Sequence, residues 1–205
     1  MSIVLFDPEK HEYRTAQGSQ VTSVTQVLAR AGICDFSFVE EEIRIRSMAR
    51  GTSVHWLLQL EDEGALNYRQ VPVRLRPYRK AYLAWKERSG FVPHLIEYQF
   101  ISHYGYAGMI DRFGVLANGT WAVVDFKTGE IPDWVRYQLT AYAMWMHAVP
   151  AVARTIRRIG LALRKDGAYS VKEFPRTTWD CDWAVFMEAK RSVDAGHVDH
   201  ERARD

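Results

Sequence analysis

The chain has 205 residues, 47% of them hydrophobic and 25% charged, with a formal net charge of +2; that length suits a single domain with a proper core, and the composition excludes wholesale disorder. Cys34 and Cys181 match no metal-ligand spacing, no apolar run reaches membrane length, and no charged-then-apolar leader opens the chain, so the sequence reads as cytoplasmic, with reduced thiols and no membrane partner. The near-neutral balance neither demands nor excludes nucleic acid, because a binding groove needs only local positive charge.

The opening "IVLFDPEKHEY" alternates and breaks at Gly18, as a short strand or hairpin over the core would. Thr22 or Ser23 can cap a short helix through "VTQVLARAG". An acidic-then-basic stretch then leads into "GTSVHWLLQLEDEG", where Val54, Leu57, Leu58 and Glu61 recur at helical spacing and Gly64 is a stop. Pro77 to Gly90 repeats the pattern, with Tyr78, Tyr82 and Trp85 along one stripe. The period then changes. "HLIEYQFISH", "YAGMIDRFGVLA" and "TWAVVDFKT" read as strands apolar on both faces, the last two joined around Asn118-Gly119. Pro132 opens a helix, "TIRRIGLALR" and "AYSVKEF" form a second hairpin through Asp166-Gly167, and a last helix runs from near Thr178 to Gly196. The charged tail from about 197 to 205 reads as frayed. This order predicts one α/β domain, a three-layer sandwich with a central mixed sheet flanked by helices.

The chemistry concentrates on the first hairpin. Asp125 and Lys127 sit two apart near a strand end, so they share a face, and Asp111 lies mid-strand on the neighbour. Charges inside apolar strands are costly unless paired or bound to a cation. Two close carboxylates repel unless a divalent ion neutralises both, and their hard oxygens favour Mg²⁺ or Mn²⁺. A lone Asp-x-Lys in a strand would instead be a structural ion pair. Strict two-residue register around Asn118-Gly119 would set Asp111 opposite Phe126, facing away from Asp125 and Lys127, so the constellation needs one extra residue in the loop or a bulge.

The motif is not alone. Asp111, then Asp125-Phe126-Lys127, then Gln138-Leu-Thr-Ala-Tyr142, preceded by Gly51-Thr-Ser-Val-His55 and by "SVTQVL", resembles the RecB-like branch of the PD-(D/E)XK nucleases. Within that branch it is most similar to the group containing phage exonucleases and the mitochondrial genome maintenance exonuclease. The resemblance spans roughly residues 20 to 175, and Ile110 stands where the family pattern has Pro. It implies the restriction-endonuclease-like core and a metal-dependent deoxyribonuclease, an exonuclease preferring single-stranded DNA ends. Asp111, Asp125, the Phe126 carbonyl and His55 would ligate the metal, Lys127 would position the attacking water, and Gln138 and Tyr142 would orient the site. Glu97, ending the strand before Asp111, would be an acid behind the ligands.

Each assignment has a plainer rival. His55 by itself reads as a core histidine, Tyr142 as core and Gln138 as its solvated neighbour. His94, His103 and His147 have no partner motif. Arg74, Arg76, Arg79 and Lys80, interleaved with Tyr68, Tyr78 and Tyr82, suit a DNA strand, where phosphates meet cations and bases stack on rings; a solvated helix face is the alternative. Two other functions stay open: a catalytically idle nucleic-acid-binding module of the same fold, and a structure- or sequence-specific endonuclease. DNA against RNA, polarity and oligomeric state are not legible in the sequence.

Overall fold

A computed structural model describes residues 4–7, 10, 12–35, 39–146 and 154–196. Three short antiparallel strands open the chain: β1 (Val4–Asp7), β2 (Glu12–Thr15) and β3 (Gln20–Val21). Helix α1 (Val24–Arg30) follows, started by Ser23 in a capping box with Gln26. Helix α2 (Glu41–Asp62) runs unbroken through Gly51, joining the acidic-basic stretch and the "GTSVH" segment into one element. Helix α3 (Arg76–Ser89) ends at Gly90, whose φ of 60° is the left-handed stop that glycine adopts without strain.

The main sheet is mixed, in the order β4 (Val92–Ile101), β5 (Ala107–Val115), β6 (Trp121–Lys127), β7 (Arg157–Leu163), β8 (Tyr169–Phe174). Only β6 and β7 run parallel, and α4 (Val135–Met146) supplies the crossover such a pair requires. That helix begins three residues after Pro132, past a turn in which Val135 N–H donates to the Pro132 carbonyl. Helix α5 (Trp179–Asp194) closes the described chain. The expected frayed tail and His147 lie outside the described residues.

The strands are apolar on both faces because both are covered. Along β6 the period of two is plain. Val123 packs with Val27 and Leu28 of α1, Leu139 of α4 and Phe186 of α5. Ala122, Val124 and Phe126 pack instead with Leu58 of α2 and with Tyr82 and Trp85 of α3. Tyr82 and Trp85 are therefore core residues. The result is an open mixed sheet between two helical layers, and among the described residues no helix is long and apolar enough to cross a membrane. Both cysteines are free, Cys34 buried and Cys181 exposed.

The hairpin between β5 and β6 settles the register. Arg112 faces Val124 and Val115 faces Trp121. The Leu116 and Thr120 backbones close a loop of Ala117, Asn118 and Gly119, with Gly119 at φ 78°. One residue has been added to the Asn-Gly pair, so the register carried onward sets Asp111 across from Asp125 rather than Phe126.

Candidate functional site: an imidazole among carboxylates

The β5–β6 ladder stops at the Arg112–Val124 pair. Past it, the Asp111 side chain takes over a backbone bond: its Oδ2 accepts from the Phe126 N–H at 2.6 Å. The other oxygen, Oδ1, faces His55 of α2, whose Nδ1 lies 3.6 Å away. The same nitrogen is 3.2 Å from Glu97 Oε1 on β4. Ligand atoms of His55, Glu97 and Asp111 all lie within 4.8 Å of one another. Asp125 is buried beside them, with Lys127 Nζ 2.6 Å from its Oδ2 in an ion pair whose angle leaves that oxygen without a hydrogen bond.

The charges do not balance. Burial raises Asp111, and although His55 and Lys127 oppose this, the Asp125 and Glu97 charges add to it and its carboxyl is pushed up to about 7. Burial alone would lower His55, but Asp111, Glu97 and Asp125 outweigh it and raise the imidazole to about 9. Glu97 moves the other way, burial being outweighed by His55 and Arg112. Protonation of His55 thus does part of what a divalent cation among these oxygens would do. A hard-oxygen set with one nitrogen and an unbonded buried carboxylate oxygen fits Mg²⁺ or Mn²⁺.

Glu97 sits mid-strand in β4, not at a strand end as expected, because β4 continues to Ile101. Its backbone φ is 44°, the only positive value among the described non-glycine residues. Gln138 and Tyr142 are both buried, the Gln138 amide donating to the Tyr142 hydroxyl at 2.8 Å while Gln138 Oε1 has no partner among the described residues. Trp134 stacks under the Lys127 ammonium at 5.2 Å.

Sequence reasoning missed three residues. Tyr13 of β2 is 1% exposed, and Asp111 and Glu97, after burial, push its hydroxyl up, which puts the N-terminal strands against the carboxylates. Arg112 of β5 and Asp62 at the end of α2 back the site from the layer of α2 and α3. Arg112 carried a signal, since an arginine in an apolar strand next to Asp111 needs a buried partner; Asp62, inside "LEDEG", looks like a solvated helix end.

The basic patch is partly spoken for. Arg79 is held by Glu61 at 2.6 and 2.9 Å, and Arg76 and Arg79 lie 5.2 and 4.9 Å over the half-exposed Tyr68 ring. Arg74 and Lys80 are exposed. Tyr68, Arg76, Arg79 and Lys80 line a groove of about 420 Å³. A second groove, of about 840 Å³, lies at the hairpin end of the sheet between Trp85, Asn118 and Tyr169 and holds none of the cluster's groups. Compared with known proteins, the sequence matches no family model and no curated protein.

Proposed function

We propose that the protein is a divalent-metal-dependent nuclease with a restriction-endonuclease-like core, acting on DNA and preferring single-stranded ends. The observation that carries this is convergence: α2, β4, β5 and β6 bring His55, Glu97, Asp111, Asp125 and Lys127 together where the β5–β6 ladder ends. The parallel β6–β7 pair with its helical crossover supports the fold reading.

Asp111, Asp125, Glu97 and His55 would hold Mg²⁺ or Mn²⁺, with the Phe126 carbonyl as a further oxygen. The cation supplies an activated water and charge to offset that developing on a phosphodiester. The protein's own groups do the rest. The Phe126 N–H fixes Asp111, and Asp125 aims the Lys127 ammonium, which can hold the attacking water or a phosphate oxygen as a point charge. Gln138 offers its unpartnered oxygen, and its bond to Tyr142 sets the angle. Arg74, Arg76, Arg79, Lys80 and the Tyr68 ring are the proposed path of the strand.

The test uses purified protein with Mn²⁺ on linear single-stranded, linear duplex and circular DNA labelled at either end. Metal-dependent release of short products from linear single strands is expected. Cleavage of circular DNA would mark an endonuclease, and binding without cleavage the idle module; no metal dependence would sink the reading.

A further inference from the structure

Arg112 is fully buried in the layer of α2 and α3, on the strand face opposite Asp111. A buried guanidinium needs one good partner, and it has that in Asp62, whose Oδ2 accepts from Nε at 2.6 Å. Asp62 is itself oversupplied: Lys86 Nζ donates to its Oδ1 at 2.7 Å and the Tyr82 hydroxyl to its Oδ2 at 2.6 Å. With Lys86 matching Asp62, the charge of Arg112 is left for another carboxylate. Its Nη1 donates to Glu97 Oε1 at 2.9 Å, the oxygen that also meets His55 Nδ1, and to the Asp111 backbone carbonyl. One nitrogen therefore touches the backbone of one proposed ligand and the carboxylate of another. The Phe126 ring, 5.1 Å from the guanidinium carbon, closes it off from water. Glu97 reaches this point from a left-handed backbone, a conformation strained for a non-glycine residue, and a strained backbone persists only where its surroundings hold it.

We propose that Arg112 is the positioning residue of the metal site, holding the Glu97 carboxylate towards His55 and Asp111 against the repulsion of its neighbours. This rests on the metal-site reading above. Asp62, Lys86 and Tyr82 anchor the guanidinium from behind, so α3 is coupled to the site through Arg112, and α2 through Arg112 as well as through its own His55.

The test is Mn²⁺ binding to the full chain without DNA, followed by calorimetry and by electron paramagnetic resonance of the free ion. Arg112→Met should weaken Mn²⁺ binding about 10- to 100-fold, the range for losing a residue that orients a ligand, and Arg112→Lys should recover part of it. Glu97→Gln should weaken binding too, and the double variant should be no weaker than the poorer single one. A purely structural Arg112 would lower the melting temperature and leave the Mn²⁺ affinity of the folded protein unchanged, which overturns the proposal, as does a double variant whose losses multiply. If Arg112→Met does not fold, Asp62→Asn takes its place, with a several-fold weaker Mn²⁺ site expected and an unchanged one overturning it. Wild-type protein that binds no Mn²⁺ overturns the metal reading itself; wild-type binding with unaffected variants overturns only the role of Arg112.

Discussion

The sheet carries two buried ionic clusters, one towards each end of its chemistry, and they are built on opposite plans. Around Arg158 of β7 both terminal nitrogens are engaged: Nη1 donates to Asp182 Oδ2 and to Thr140, and Nη2 to the Pro175 carbonyl and Thr178. Asp182 Oδ2 also accepts from Thr178, and its Oδ1 lies 2.6 Å from Arg136. Around Asp111, among the described residues, the carboxylates of Asp62, Glu97, Asp111 and Asp125 face the basic groups of Lys86, Arg112 and Lys127, and a proton on His55 is needed to even the count. One cluster sets two guanidinium groups against its buried carboxylate. The other is short of positive charge, as a site built for an added cation would be.

The sharpest break between them should be in activity. Asp125→Asn or Lys127→Ala should reduce cleavage by about 10³-fold or more, Asp125→Asn with little change in melting temperature and Lys127→Ala with a lowered metal-free one, because it leaves the buried Asp125 without its cation; retained cleavage in either folded variant removes the assignment. For the Arg158 cluster the effects reverse. Asp182→Ala leaves Arg158 buried and unpaired and should cost about 3–5 kcal/mol of stability, with the Mn²⁺ affinity of the folded protein unchanged, read by denaturant titration and calorimetry.

Acidity offers a smaller contrast. The metal-free His55 pKa is raised to about 9, so its stabilising contribution is complete below its ordinary value near 6.5 and is lost as pH rises through 9. Asp111, raised to about 7, adds a cost to ionisation that grows as pH rises to 7. Both act in one direction: chelator-treated protein should lose on the order of 2 kcal/mol between pH 6.5 and 9.5, and Mn²⁺ should flatten the loss. A metal-free melting temperature flat across that range would contradict the charge deficit. Smallest of all, Asp111→Asn should raise metal-free stability at pH 8 by roughly 1 kcal/mol, a gain in fold from a change that removes a proposed ligand.

Much of this was legible in the sequence because periodicity and turn chemistry are local. Asn118-Gly119 marks the hairpin, and the shared face of Asp111, Asp125 and Lys127 demands the third loop residue that Ala117 provides. His55 could be placed on α2, but not aimed, since helical spacing says which residues share a face and not what lies across from it. Glu97 was misplaced to a strand end because no pattern announces a left-handed glutamate inside a strand. Asp62 and Arg158 were invisible as buried charges: each reads as surface until an element distant in sequence closes over it.

The two thiols have a practical consequence. Cys181 is exposed on α5, whereas Cys34 is 8% exposed and its thiol is pushed up to about 11 by burial, which keeps it protonated at neutral pH. A maleimide should therefore label the native protein once and the unfolded chain twice, so the second mass increment counts openings of the layer under α1. Run with and without Mn²⁺, that count would report whether a cation between the strands quiets a helix it does not touch.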